Sequence, residues 1–91
     1  MNLSIFKYKL PVTDKQVLKL PDNARILSVQ GQHKEVCLWA LVNPDAPLVN
    51  HSIEMITTGE SIISKDRLYH GTVQLLDGNF VCHVFEVLEK E

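Results

Sequence analysis

The sequence predicts an all-β domain, a compact antiparallel barrel or sandwich of six to seven short strands with at most one short helix. Three observations predict it. Apolar and polar residues alternate with period two, as in Ile5-Phe-Lys-Tyr-Lys-Leu10. Turn-forming Pro, Gly, Asn and Asp recur roughly every ten residues. The run Val36 to Val42, which holds the only tryptophan, Trp39, carries neither charge nor amide, as a strand covered on both faces would.

Ninety-one residues make one domain, 1–91, with a single core. The hydrophobic fraction is 45% and the charged fraction 22%, values of a globular chain rather than a disordered one. Nine Lys and Arg stand against eleven Asp and Glu, for a formal charge of −2, and the basic residues are scattered. That argues against genomic nucleic acid, whose backbone calls for a basic stripe, while leaving room for one small anionic ligand. Cys37 and Cys82 sit in apolar strand-like runs and are expected to pack as core thiols. The N-terminus meets Lys7 before a signal-length apolar stretch develops, and no run approaches the ~20 residues of a membrane span. A cytoplasmic protein with no membrane association is the expectation.

The first strand is Ile5–Leu10, ended by Pro11. Gln16–Leu20 then reads as a second strand; a short helix opened by a Thr13/Gln16 capping box is the alternative. Pro21-Asp-Asn-Ala24 is turn chemistry, and Arg25–Gln30 a third strand. Gly31–Lys34 is expected as the loop of a hairpin into the central strand, with Val29 opposite Val36 and Leu27 opposite Leu38. Asn43–Asn50 holds Pro44 and Pro47 and reads as a stiff loop. His51–Thr58 is a fifth strand, and Gly59–Asp66 a loop that covers an edge. Leu68–Leu76 and Asn79–Leu88 form a hairpin on a type I′ turn at Asp77-Gly78. One surface of that hairpin pairs Leu75 with Phe80, Val73 with Cys82 and Gly71 with Val84. The other pairs Gln74 with Val81, Thr72 with His83 and His70 with Phe85.

That second surface is the candidate binding site. His70 and His83 become diagonal neighbours, roughly 7–8 Å apart between backbones, beside Thr72, Gln74 and Phe85. Trp39 could stack on a base and Arg67 could meet an anion. The hydroxyls and glycine of Thr57-Thr58-Gly59-Glu60 could aim amides at an anion. No metal is expected, since zinc needs a third and usually a fourth ligand and no His or Cys spacing supplies them; no cofactor is expected either. Ser28, Ser52, Ser61 and Ser64 lie in no nucleophile elbow and no glycine-rich phosphate loop exists, so a non-enzymatic binding protein is expected. An enzyme becomes tenable only with His70 or His83 in reach of a carboxylate in a cleft.

Ile5-Phe-Lys-Tyr-Lys-Leu-Pro-Val-Thr-Asp14, Trp39-Ala-Leu-Val-Asn-Pro-Asp-Ala-Pro47, Tyr69-His-Gly-Thr-Val-Gln-Leu75 and His83-Val-Phe-Glu86 together resemble a family of small proteins of no assigned activity, found mainly in bacteriophages and prophages. The resemblance covers nearly the whole chain. It departs at Thr57–Glu60, where family members typically carry Gly-Thr-Gly-His. The resemblance implies a phage accessory protein in the cytoplasm of the infected host. Its expected partner is a small nucleotide immune signal, sequestered at the interface of a homo-oligomer; a host or phage protein bound through a sheet face or edge is the alternative. A nucleotide site would gather two or three of Lys7, Lys9, Arg25 and Arg67 with Trp39 or Tyr69 around a cavity.

Overall fold

The computed structural model describes residues 2–88. The chain runs β1 (Ser4–Leu10), β2 (Lys15–Pro21), β3 (Arg25–Gln32), β4 (Glu35–Val42), β5 (Leu48–Thr57), β6 (Arg67–Leu75) and β7 (Phe80–Val87). These strands form two antiparallel sheets, one in the order β1-β4-β3 and the other β2-β5-β7-β6. The sheets pack as a sandwich and do not close into a barrel. No helix among the described residues is long and apolar enough to cross a membrane.

Alternation builds the core. Val36, Leu38, Ala40 and Val42 of β4 point inward and meet Ile53 and Met55 of β5, Val73 of β6, and Cys82 and Val84 of β7. The odd residues of β4 face outward, yet Cys37 is only 1% exposed. Its cross-strand neighbours are Lys9 and Gln30, and Lys7 Nζ–H donates to Gln32 Oε1 at 2.7 Å, bridging from β1 to β3. The outer cover of β4 is therefore long polar side chains rather than a further layer.

The β3–β4 register differs from the sequence expectation. The turn is His33-Lys34, both with positive φ (52° and 67°), so Val29 pairs with Leu38 and Gly31 with Val36. Leu27 falls at a bulge between Ile26 and Ser28. Gly31 belongs to the strand: a Cβ there would sit 2.9 Å from Leu75 Cδ2, so its small size lets β6 approach.

Residues 15–21 are a strand. Thr13 and Gln16 do interact, at 3.3 Å, but Gln16 Nε2–H also donates to Pro11 O at 2.7 Å, tying down the β1–β2 loop rather than capping a helix. The Asn43–Pro47 loop is fixed by Asp45 N–H on Asn43 Oδ1 and Ala46 N–H on Asn43 O, both 3.1 Å; pairing resumes at Leu48, opposite Pro21. The C-terminal hairpin has the expected turn, with Asp77 at φ 55°, ψ 35° and Gly78 at φ 85°, closed by Asn79 N–H on Leu76 O at 3.0 Å. Its pairing holds from Leu75–Phe80 to Gly71–Val84, then slips between Tyr69 and Gly71, so Phe85 faces Tyr69 instead of His70.

Strands β1 and β2 are sheet edges. Each carries lysines, Lys7 and Lys9 on β1 and Lys15 and Lys19 on β2, and β2 ends at Pro21, residue types that discourage pairing with another chain.

Two substitutions test the corrected hairpin by denaturant melting. Lys34→Gly removes a left-handed side-chain residue and raises stability by about 1 kcal/mol. Gly31→Val crowds Leu75 and lowers stability by about 2 kcal/mol.

Candidate functional site

Paired irregularities build a cleft that holds two histidines and a carboxylate. The bulge in β3 at Leu27 and the bulge in β6 at His70 lie on strands that pack against each other. A bulge re-aims the side chain it displaces, and beside these two a cleft of about 440 Å³ opens, lined by Ala24, Arg25, Ile26, His51, Leu68, Tyr69, His70 and Glu86. Glu86 pairs with Ile53 and Leu68, so its carboxylate projects from the core-facing side of β7.

That carboxylate holds two imidazoles. His51 Nδ1 lies 2.6 Å from Glu86 Oε2 and His70 Nε2 3.1 Å from Oε1. The three side chains are 21%, 8% and 15% exposed for His51, His70 and Glu86. A carboxylate only accepts, so each ring places its N–H toward Glu86. Nε2 of His51 and Nδ1 of His70 have no hydrogen bond to any described residue. Among the described residues no buried side-chain nitrogen or oxygen lacks a partner, so both nitrogens reach the molecular surface. Arg25, exposed at the rim, makes no ion pair or hydrogen bond among the described residues. One carboxylate thus orients two acid–base groups beside an uncommitted cation.

The expected polar row on the outer face is otherwise engaged. Tyr69 Oη lies 2.5 Å from Thr72 Oγ1, Thr72 Oγ1 2.9 Å from His83 Nδ1, and His83 Nε2 2.8 Å from Thr58 Oγ1. Both His83 nitrogens are used, and hydroxyl partners can donate or accept, so this ring is a pin for the loop after β5. Phe85 packs on Tyr69 with ring centroids 5.4 Å apart, and Gln74 is exposed. His70 therefore parts from His83, Thr72, Gln74 and Phe85, which stay on the outer face. Trp39 lies on the outer face of the other sheet, opposite Lys7 and Ser28.

Arg67 is committed as well. Its Nε donates to Glu54 Oε1 at 2.8 Å and one terminal nitrogen to Ile63 O at 2.8 Å, while Lys65 reaches Glu54 Oε2 at 3.4 Å. Glu54 is the buried charged residue of the described chain. Burial opposes its ionisation, but the hydrogen bond and charge of Arg67, with help from Lys65, outweigh this and hold the carboxyl below the usual range. In the Thr57–Glu60 turn, Glu60 Oε1 accepts from Thr57 N–H at 3.0 Å and from Thr57 Oγ1–H at 3.1 Å. The carboxylate of Glu60 thus occupies the place expected for an anion. Cys37 and Cys82 are unpaired and buried, and burial pushes the Cys82 thiol up, which keeps it protonated and inert. No cluster of three or more His, Cys, Asp or Glu among the described residues is placed to hold a metal.

The sequence-level reading missed His51 and Glu86 as a pair. One signal pointed to them: a lone carboxylate in the otherwise apolar Val84–Val87 run must find partners if buried.

Removing Glu54 strands Arg67, so Glu54→Gln lowers stability by about 3 kcal/mol in denaturant melts. A lowered folded-state pKa gives stability that is complete above the unfolded-state value and is lost as the pH falls through the folded-state value. Wild type therefore loses stability on acidification below the ordinary carboxylate range, and Glu54→Gln flattens that loss.

Comparison with curated proteins and with solved structures finds no match. The family model of DUF7352, a domain of unknown function, matches residues 1–91, and on that match the chain belongs to the DUF7352 family.

Proposed function

We propose that this protein binds a small phosphate-bearing ligand of the nucleotide class in the Glu86 cleft. The observation that carries this is Arg25, whose side chain has no partner among the described residues, at the rim of the same cleft as two imidazoles that each keep one nitrogen unbonded among those residues. Lys7, Lys9 and Arg67 are held by Gln32, Glu35 and Glu54, which leaves Arg25 as the available member of the four cations expected at a nucleotide site. Ile26 and Leu68 supply apolar walls against which a base can lie.

Glu86 repels an anion, so Arg25 is the group in the cleft that offsets that charge for a phosphate. In this reading, which the resemblance to phage proteins supports, the protein is a phage accessory factor in the cytoplasm of an infected bacterium. Its ligand in this reading is a nucleotide signal of host immunity, which it withdraws.

A protein partner is the second reading. The outer face of the β1-β4-β3 sheet carries exposed Ile5 with half-buried Leu41 and Trp39, an uncovered apolar strip. The lysines along β1 and β2 point to this face, rather than strand addition, as the surface used.

A thermal-shift screen against cyclic di- and trinucleotides and NAD-derived signals tests the proposal. A ligand at a hundred times its Kd adds ~2.7 kcal/mol, and Arg25→Ala abolishes the shift. Absence of a shift with every one of these compounds sinks the nucleotide reading.

A further inference from the structure

We propose that the Glu86 cleft also acts on what it binds, as an acid–base centre that opens ribonucleotide 3′,5′-phosphodiesters by attack of the substrate's own 2′-hydroxyl. This rests on the nucleotide-binding reading above and extends it from capture to cleavage.

The chemistry requires a base, an acid and a positive charge near the phosphorus. Glu86 bonds one nitrogen of each ring, at 2.6 Å for His51 and 3.1 Å for His70. A carboxylate in that position fixes the tautomer, so a neutral ring turns its lone pair outward, and it stabilises the imidazolium formed when the ring takes a proton. A ring whose outward nitrogen carries the lone pair is a base and one whose outward nitrogen carries a proton is an acid, so two rings held on one carboxylate can supply both roles in the same cleft. Arg25 supplies the charge that steadies the phosphoryl oxygens.

The lining contains no Ser, Thr, Cys or Lys, and the Tyr69 hydroxyl is bonded to Thr72 on the outer face. His51, His70 and Glu86 are then the reactive side chains of the lining, and in the proposed reaction they move protons while the substrate supplies the nucleophile. A ribose 2′-hydroxyl is already positioned beside its 3′-phosphate, and only protons need to be moved for it. The 2′-O–H proton passes to the unbonded nitrogen of one ring as the O2′–P bond forms. The P–O5′ bond breaks with its electron pair on O5′, which takes a proton from the unbonded nitrogen of the other ring. The products are a 2′,3′-cyclic phosphate and a free 5′-hydroxyl, and no water, metal or oxidant is consumed. The nitrogens involved are Nε2 of His51 and Nδ1 of His70.

The test incubates the whole chain with uridylyl-3′,5′-adenosine and follows products by chromatography and mass spectrometry, with thermal shift run on the same mixtures. Expected are adenosine and uridine 2′,3′-cyclic phosphate, a bell-shaped rate against pH, and no cleavage when the uridine 2′-hydroxyl is replaced by hydrogen. His51→Asn and His70→Asn each lower the rate by about 100-fold or more, whereas His33→Asn, in the exposed β3–β4 turn, leaves it unchanged. The 2′-deoxy substrate and the pH profile test wild type directly, so the proposal stays testable if a histidine variant fails to fold. A thermal shift without cleavage overturns the acid–base proposal and leaves the binding reading standing. Absence of both shift and cleavage overturns the acid–base proposal, and overturns the binding reading too when the cyclic-nucleotide and NAD-derived screen is also without a shift. Equal cleavage of the deoxy analogue, or full activity in both folded histidine variants, overturns the proposal by assigning the activity elsewhere.

Discussion

Strands β3 and β6 pack against each other where the two sheets meet, and Gly31 keeps them close: a Cβ there would press on Leu75 at 2.9 Å. This seam joins a three-stranded sheet to a four-stranded one at a single side of the sandwich. Its upper part is regular and packed, whereas its lower part carries both bulges and parts into the cleft. The position of Arg25 relative to His51, His70 and Glu86 thus depends on a backbone approach that larger side chains would prevent.

Two carboxylates on the second sheet take opposite roles according to the company they keep. Glu54 sits under the β5–β6 connection among Arg67 and Lys65, partners whose charge does not change near neutrality. That cluster is a fixed clamp. Glu86 sits between two imidazoles, side chains that can donate or accept a proton. Similar burial and equal charge therefore produce a structural tie in one case and a proton-handling cleft in the other. His83 shows the same contrast among the histidines, since hydroxyl partners accommodate either protonation state.

The all-β class, the strand set and the I′ turn at Asp77-Gly78 were legible because alternation and turn chemistry are local signals. The β3–β4 register was not, for a physical reason: Gly31 looks like turn glycine, but its small size serves contact with β6, while the turn falls on His33-Lys34 without any glycine. His70 was legible as a site residue and its companions were not. Period-two alternation carries no mark of a bulge, and the bulge at His70 moves its imidazole away from His83 and toward Glu86. Arg67 and Glu54 illustrate the same limit, because a pair thirteen positions apart becomes visible only once loop 58–66 is in place.

The lysines of β1 and β2 govern assembly as well as edge pairing. Both open margins of the sandwich carry the same sign of charge, so two copies approaching margin to margin repel before their backbones meet. Salt high enough to screen the lysines weakens this repulsion.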